Sequence, residues 1–502
     1  MPRLFLTLLL IVSITFPFSH ANAVTAKDAF PTTVTADDLV KAYQDAGMSG
    51  SDKFRILIVP GHEPDFGGAQ FGGFYERELV VDLSKKLAKE LETDPRFEVI
   101  LARDTNSWSD ALSNLFDRSM KTIKKFVDTH KKAMAKLVKK GKVEEKTDEV
   151  QHAAAPTDVA LRLYGVSKWA NDNDIDLMIH VHLNDETNHA PDVAGTQSGF
   201  AIYVPDEQYG NAEASKAVAD SVFNRLHNSQ GVSTLPLENA GVVEDQELIA
   251  LGAFNTSEVP SMLIEYGYIY EPRFLDDTSR SNVFSDFAYQ TTLGIRDFLG
   301  AETKTRYDTR ALPYTFSTDI LASTTSTTTA STGVYALQAS LHSLNFYPEQ
   351  GKNLTECPIS GFINTCTTDG VRAFQMSKGI DQTGALGPAT RNALNMLFSA
   401  TPSVEPVPAA TSGTVGMCAP FTYSLKLDST DAKTGGEVSK LQTLLAKDSS
   451  IYPEGKVTGN FGPATDRALK LFQVKNGIAK AGGAGYGLVG PMTRAALLAT
   501  CK

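Results

Sequence analysis

Thiols are scarce in this 502-residue chain: the four cysteines, Cys357, Cys366, Cys418 and Cys501, all fall in the last third. The first two thirds therefore offer no thiolate to a metal. Cations are also in deficit, 47 Lys and Arg against 58 Asp and Glu, for a net charge of -11. Neutralising phosphates needs the opposite balance, so nucleic acid is not expected as a partner. Long apolar runs are missing beyond the first 23 residues, and nothing there could cross a bilayer. The one apolar stretch, Leu4 to Phe18, follows Arg3 and leads to Ala21-Asn22-Ala23. Met1–Ala23 reads as a secretory signal cleaved after Ala23, with an uncleaved anchor as the competing reading. The expected location is periplasmic or extracellular, at the cell wall. An even cysteine count in an exported chain favours disulfides. Pairing Cys357 with Cys366 and Cys418 with Cys501 keeps each bridge within one domain and is preferred; free buried thiols are the alternative.

What is present divides the chain. Two stretches, 317–333 and 399–416, are rich in Ser, Thr, Pro and Ala. Neither can bury enough apolar surface to offset its ordering entropy, so both are expected to be extended tethers. They separate a large domain, 50–302, from two small ones, 334–398 and 418–502. The small ones are imperfect repeats. Leu337-Gln338 matches Leu441-Gln442, Phe374-Gln375 matches Phe472-Gln473, and Gly387-Pro388-Ala389-Thr390-Arg391 matches Gly490-Pro491-Met492-Thr493-Arg494. Helical spacing of apolar residues predicts about three short helices in each, with Thr390 and Thr493 as candidate N-caps. In the large domain, strands near 54–59, 97–101, 175–182, 200–204 and 261–265 alternate with helical patterns near 76–92, 156–171, 212–227 and 284–299. That rhythm predicts an α/β fold, a mostly parallel sheet flanked by helices. An insertion at about 110–155 breaks the rhythm. Phe116, Met120, Ile123, Val127, Met134 and Leu137 share one helical face, and nine lysines from Lys121 to Lys142 occupy the rest. A solvated surface helix is the plain reading. A lid or regulatory arm over the site, or a basic strip gripping anionic wall polymer, is the sharper one.

Functional side chains stand at the ends of apolar runs. His62 follows Ile56-Leu57-Ile58-Val59, His182 closes a run from Ile175, and Glu265 ends Met262-Leu263-Ile264. Buried parallel strands look like this, and ligands of open α/β sheets gather at strand carboxyl ends. Glu76 opens a helix after a glycine-rich loop. Two imidazoles and a carboxylate suit a hydrolytic zinc ion with one position left for water. Taken singly, each histidine is better explained as a hydrogen-bonded structural residue than as a ligand. The loop from Gly61 to Gly73 lacks the Gly-Lys-Ser/Thr ending of a phosphate cradle, so no nucleotide is expected.

The run Ile58-Val59-Pro60-Gly61-His62, with Gly67-Gly68, Gly72-Gly73 and Glu76-Arg77, resembles the opening of the zinc-dependent N-acetylmuramoyl-L-alanine amidases of the type 3 family. Leu161-Arg162, Ala170-Asn171, Val181-His182-Leu183-Asn184 and Val259-Pro260 through Glu265-Tyr266-Gly267 continue the likeness over roughly 54–300. The repeats resemble the type 1 peptidoglycan-binding domain. The resemblance implies zinc held by His62, Glu76 and His182, and Glu265 as general base. It implies cleavage of the amide between N-acetylmuramic acid and L-alanine of the stem peptide, with peptidoglycan as partner. Two departures stand out. Glu63-Pro64 replaces glycines after the first histidine. His180 stands where a serine is common, as a second ligand-supporting residue, a competing ligand or, by preference, a packed histidine. Asn184 is expected to fix a loop by a hydrogen bond. An inactive peptidoglycan-binding scaffold and a zinc peptidase of stem peptides are the alternative functions. Any regulatory protein partner is unidentified.

Overall fold

The computed structural model describes residues 30, 34–48, 52–147, 149–150, 155–186, 189, 192–301, 307–323, 329–398 and 421–499, except 422, 424, 428 and 481–484 within the last stretch. The signal, the 399–416 tether and the Cys418–Cys501 pairing lie outside them. Cys357 and Cys366 are joined.

Five apolar runs form the expected strands: β1 (Phe54–Pro60), β4 (Phe97–Leu101), β5 (Leu177–Asn184), β6 (Ala201–Pro205) and β8 (Ser261–Tyr268). Two features escaped the sequence pattern. One is β7 (Val242–Asp245); the other is a miniature hairpin of β2 (Gln70–Phe71) and β3 (Phe74–Tyr75). The six-stranded sheet runs β4-β1-β5-β8-β6-β7, parallel except where β6 meets β8. Side chains alternate across it. Ile56, Ile58, Ile179, Val181, Met262 and Ile264 enter one core, packed with helices Glu76–Leu91, Ala212–His227 and Asp277–Phe298. Leu57, Val59 and Met178 enter another, covered by helices Asp110–Lys139 and Thr157–Asp172. Both faces are dry, which is why the strand sequences are apolar throughout rather than alternating.

The three helices of the first repeat are Thr332–Ser343, Thr365–Ser377 and Pro388–Phe398. In the second they are Glu437–Leu445, Pro463–Lys475 and Pro491–Ala499, with a short turn of helix at Asp431–Thr434. The repeated glutamines are buried loop clamps. Gln338 accepts from Ser360 N and Gly361 N and donates to Phe362 O and Thr367 Oγ1; Gln442 does the same with Thr458 N, Gly459 N, Asn460 O and Thr465 Oγ1. Thr390 and Thr493 are not N-caps. The prolines before them take the first helical positions, where a missing N–H costs nothing, and the two hydroxyls accept from Gln375 and Gln473.

The 317–333 stretch is not simply an extended tether. It contains helix Ile320–Ser323, which contacts helix Thr332–Ser343 and whose Ile320 and Leu321 pack on the core that the large domain and the first repeat share; residues 324–328 are outside the described set. The cause is helix Thr332–Ser343, which buries Val334, Tyr335, Leu337, Ala339 and Leu341, wider than one stripe. A helix apolar on several sides needs partners on several sides. It packs against Asp277–Phe298, and the first repeat shares one continuous core with the large domain. Ser279 Oγ donates to Ser360 O at 2.7 Å and Tyr314 N to Phe398 O at 2.9 Å across the junction. The second repeat has its own core. This coupling is measurable, because both tryptophans, Trp108 and Trp169, lie in the large domain. Leu337→Ala, a cavity 36 residues beyond Ala301, the last described residue of that domain, should cost about 2–5 kcal/mol and lower the unfolding midpoint read by tryptophan fluorescence. An unchanged fluorescence midpoint would refute the shared core.

Candidate metal centre

Strand register sets the site. His182 and Glu265 are partners across β5 and β8, on the face shared by Met178 and Leu263. One strand away, β1 ends at Pro60, and the chain turns sharply so that His62 adopts a left-handed φ of 68°. The β2–β3 hairpin then delivers Glu76 as the first residue of its helix, where the unpaired N–H groups favour a carboxylate.

Glu76 sits between the two imidazoles. Its Oε2 lies 2.8 Å from His62 Nε2 and its Oε1 lies 3.0 Å from His182 Nδ1. Backbone N–H groups of Ala69 and Leu183 donate to the same carboxylate at 2.8 and 3.1 Å. Burial opposes the charge, but His62 and His182 outweigh it and hold the Glu76 carboxyl well below the usual carboxylate range. Burial also depresses the His182 pKa, partly offset by Glu76, which favours the neutral imidazole. One donor atom from each of His62, Glu76 and His182 falls within 4.8 Å of the others. Around a shared tetrahedral ion such atoms stand roughly 3.4 Å apart, so side-chain rotation alone closes the set. Two nitrogens and one oxygen could hold a borderline divalent ion with a position to spare.

The cradle leaves no room for a larger backbone. A Cβ on Gly61 would come within 2.4 Å of His182 Cε1, and one on Gly68 within 2.9 Å of His62 Cδ2. Glu265 stands opposite His182 on β8, and its Oε2 is buried with no hydrogen-bond partner among the described residues. Burial, then the charges of Glu76 and Glu238, push its carboxyl well above the usual range. Asn184 donates to Glu238 Oε1 at 2.8 Å, and Tyr203 and Tyr268 hydroxyls hold the same carboxylate at 2.5 and 3.1 Å. His180 does not join the cluster. It is buried, bonded to the Ala250 backbone, and pushed down to about 3 by burial and then His182.

Two residues gain roles that no sequence pattern announced. Arg103, just beyond β4, is buried and donates to Pro60 O at 3.1 Å, to Gly61 O, and to Arg77 O at 2.9 Å. It ties the turn before His62 to the helix that carries Glu76. Burial lowers its pKa to about 10, against the pull of Glu63 and Glu76, so it stays charged at neutral pH. Glu63, noted only as a departure, accepts from Arg162 Nε and Trp108 Nε1, each at 2.8 Å. Those partners sit on the next helix and at the root of the lysine-rich insertion, so Glu63 braces the turn from the other side. Glu63→Ala would leave both donors without their acceptor. Discounting for Arg162's partial exposure, a loss of about 2 kcal/mol is expected, read as a lower urea midpoint. Glu63→Gln, which keeps one acceptor, should lose less.

Residues 56–297 match the family model described as N-acetylmuramoyl-L-alanine amidase, and residues 330–394 and 434–497 match that of a peptidoglycan binding domain. Among solved structures, the chain is similar to N-acetylmuramoyl-L-alanine amidase AmiC2 of Nostoc punctiforme. Identity is 21%, over 50% of this chain and 99% of that one, with a TM-score of 0.31. Ami1 from Mycobacterium smegmatis gives 14%, 50%, 99% and 0.34 in the same order. The CwlD amidase from Clostridioides difficile, solved with the GerS lipoprotein, gives 15%, 49%, 99% and 0.32. No curated protein matches the chain.

Proposed function

From an N-acetylmuramoyl-L-alanine amidase domain at residues 56–297, followed by two peptidoglycan-binding domains, we propose that the chain is an exported, zinc-dependent peptidoglycan hydrolase. Its bond is the amide between the lactyl group of N-acetylmuramic acid and L-alanine of the stem peptide. The observation that carries this reading is the convergence of His62, Glu76 and His182 within 4.8 Å. Two imidazole nitrogens and one carboxylate oxygen, with no thiolate, fit zinc in a hydrolytic role. Bound there, zinc would supply Lewis acidity toward the scissile carbonyl and lower the pKa of water.

The remaining work belongs to side chains. Glu265 takes a proton from the attacking water as its oxygen bonds the carbonyl carbon. It returns that proton to the nitrogen as the C–N bond breaks, so the products are a lactyl carboxylate and a free L-alanine amine. Its unpartnered, buried oxygen supports that role: nothing else in the described structure engages it. Asn184 and Glu238 fix the loop after His182, and Arg103 fixes the one before His62. Domains 334–398 and 418–502 hold the enzyme on insoluble polymer and raise the local substrate concentration. Zinc-loaded protein should release L-alanine N-termini from cell walls, and a chelator should abolish the release reversibly. Release of other N-termini would point to a stem-peptide peptidase instead. Tight pelleting with walls but no bound zinc and no cleavage would point to a scaffold.

A further inference from the structure

The lysine-rich helix Asp110–Lys139 plays no part in the site above. Its inner face packs Leu112, Phe116, Ile123, Val127 and Met134 against the domain. Its outer face is basic. Between Lys121 and Lys142 there are nine lysines and one acid, Asp128, in a chain with a net charge of -11. All nine lysines are exposed. Asp128 is engaged by Lys124 at 2.7 Å, and Lys131 lies over the Phe254 ring at 4.9 Å. Lys121, Lys125, Lys132, Lys136 and Lys139 have no carboxylate at ion-pair distance among the described residues.

A merely solvated helix would alternate signs, because opposite charges four residues apart stabilise it and like charges destabilise it. Here Lys121/Lys125, Lys132/Lys136 and Lys136/Lys140 are like pairs at that spacing. At these three pairs the local rule is broken, and none of their lysines has a carboxylate at ion-pair distance among the described residues, which marks a surface shaped for something outside the fold. At 1.5 Å per residue the row from Lys121 to Lys139 extends about 27 Å. We propose that this row is a docking surface for the carboxylate-bearing stem peptides of peptidoglycan, a third wall contact that belongs to the catalytic domain itself. The proposal rests on peptidoglycan being the substrate. Charge complementarity selects the occupant. Lysines offer point charges with rotatable donors, suited to a flexible polymer with repeated carboxylates rather than to one fixed ligand. The apolar residues of the helix face inward, so the row carries no wedge for lipid insertion. It has no exposed aromatic for stacking bases either.

The test replaces Lys121, Lys125, Lys132, Lys136 and Lys139 together in the full-length protein, once with Gln and once with Arg. Gln matches Lys in helix propensity, and the Arg set keeps the charge. Wild type and the Arg variant should pellet with purified sacculi at low salt on the order of tenfold better than the Gln variant. High salt should erase the gap. Amidating the sacculus carboxylates should erase it too, and phosphatidylglycerol vesicles, which offer charge without spaced carboxylates, should capture wild type less well than sacculi do. Equal pelleting of the Gln variant and wild type at low salt overturns the proposal. So does a gap that survives amidation, or vesicle capture of wild type equal to its capture by sacculi. Cleavage of a soluble monomeric muropeptide is read separately. All three proteins should retain it, and its absence from all three would sink the amidase reading while the binding result stands on its own.

Discussion

Glu265→Gln is expected to slow turnover of a soluble muropeptide by on the order of 10³-fold while one zinc per chain remains bound. The substitution keeps the shape and removes the only property at issue, the capacity to accept and return a proton. Glu265 lies on β8 in register with His182, yet it is not among the three side chains whose donor atoms converge. Loss of zinc would therefore mean that Glu265 is a ligand. Retained turnover would mean that the base lies elsewhere. Burial and the Glu76 charge raise its pKa in the absence of a cation. A cation held by Glu76 would offset the second of these and favour the basic form. The same variant separates amidase from scaffold, since a scaffold has no turnover to lose.

The parts of this structure legible in the sequence are those fixed by short-range pattern. Apolar runs ending in His62, His182 and Glu265 announced buried strands, because a sheet covered on both faces demands such runs. A helix start at Glu76 was visible from the glycine-rich loop before it. The hairpin of β2 and β3 was not, because two-residue strands have no periodicity to detect. Strand β7 hid for a related reason: Val242-Val243-Glu244-Asp245 lies at the sheet edge, where burial is partial and the apolar signal fades.

Long-range polar partnerships were the least legible. Arg103 is one arginine among many until the fold carries it under Pro60, Gly61 and Arg77. The Glu63 carboxylate gave a local anomaly without naming Arg162 or Trp108 as its partners. Docking of the first repeat was hidden by composition, since a Ser/Thr-rich stretch reads as a tether whatever packs at its ends. The uncharged helix Thr332–Ser343 was the available clue, having more apolar surface than a freely tethered module should show.

Gly61→Ala should prove as damaging as loss of a ligand, although Gly61 contributes no donor atom. A methyl there would lie 2.4 Å from His182 Cε1, 2.6 Å from Nδ1 and 2.7 Å from Nε2. Real Cβ contacts do not come so close, so either the ring turns away or the backbone shifts. The backbone has little freedom: Gly61 N donates to Val181 O at 2.9 Å, and Arg103 grips the carbonyls of Pro60 and Gly61. The ring must yield, and a metal bond tolerates only about 0.2 Å of error. Zinc affinity should fall by on the order of 10²-fold, and activity with it. Gly73→Ala is the control that isolates the clash. Its φ of 83° strains an alanine, yet no atom lies within 4 Å of the added methyl. It should cost about 1–2 kcal/mol of stability and leave zinc in place. If Gly61→Ala binds zinc as tightly as Gly73→Ala does, then His182 does not need the position it occupies here, and the donor set must be sought among other residues.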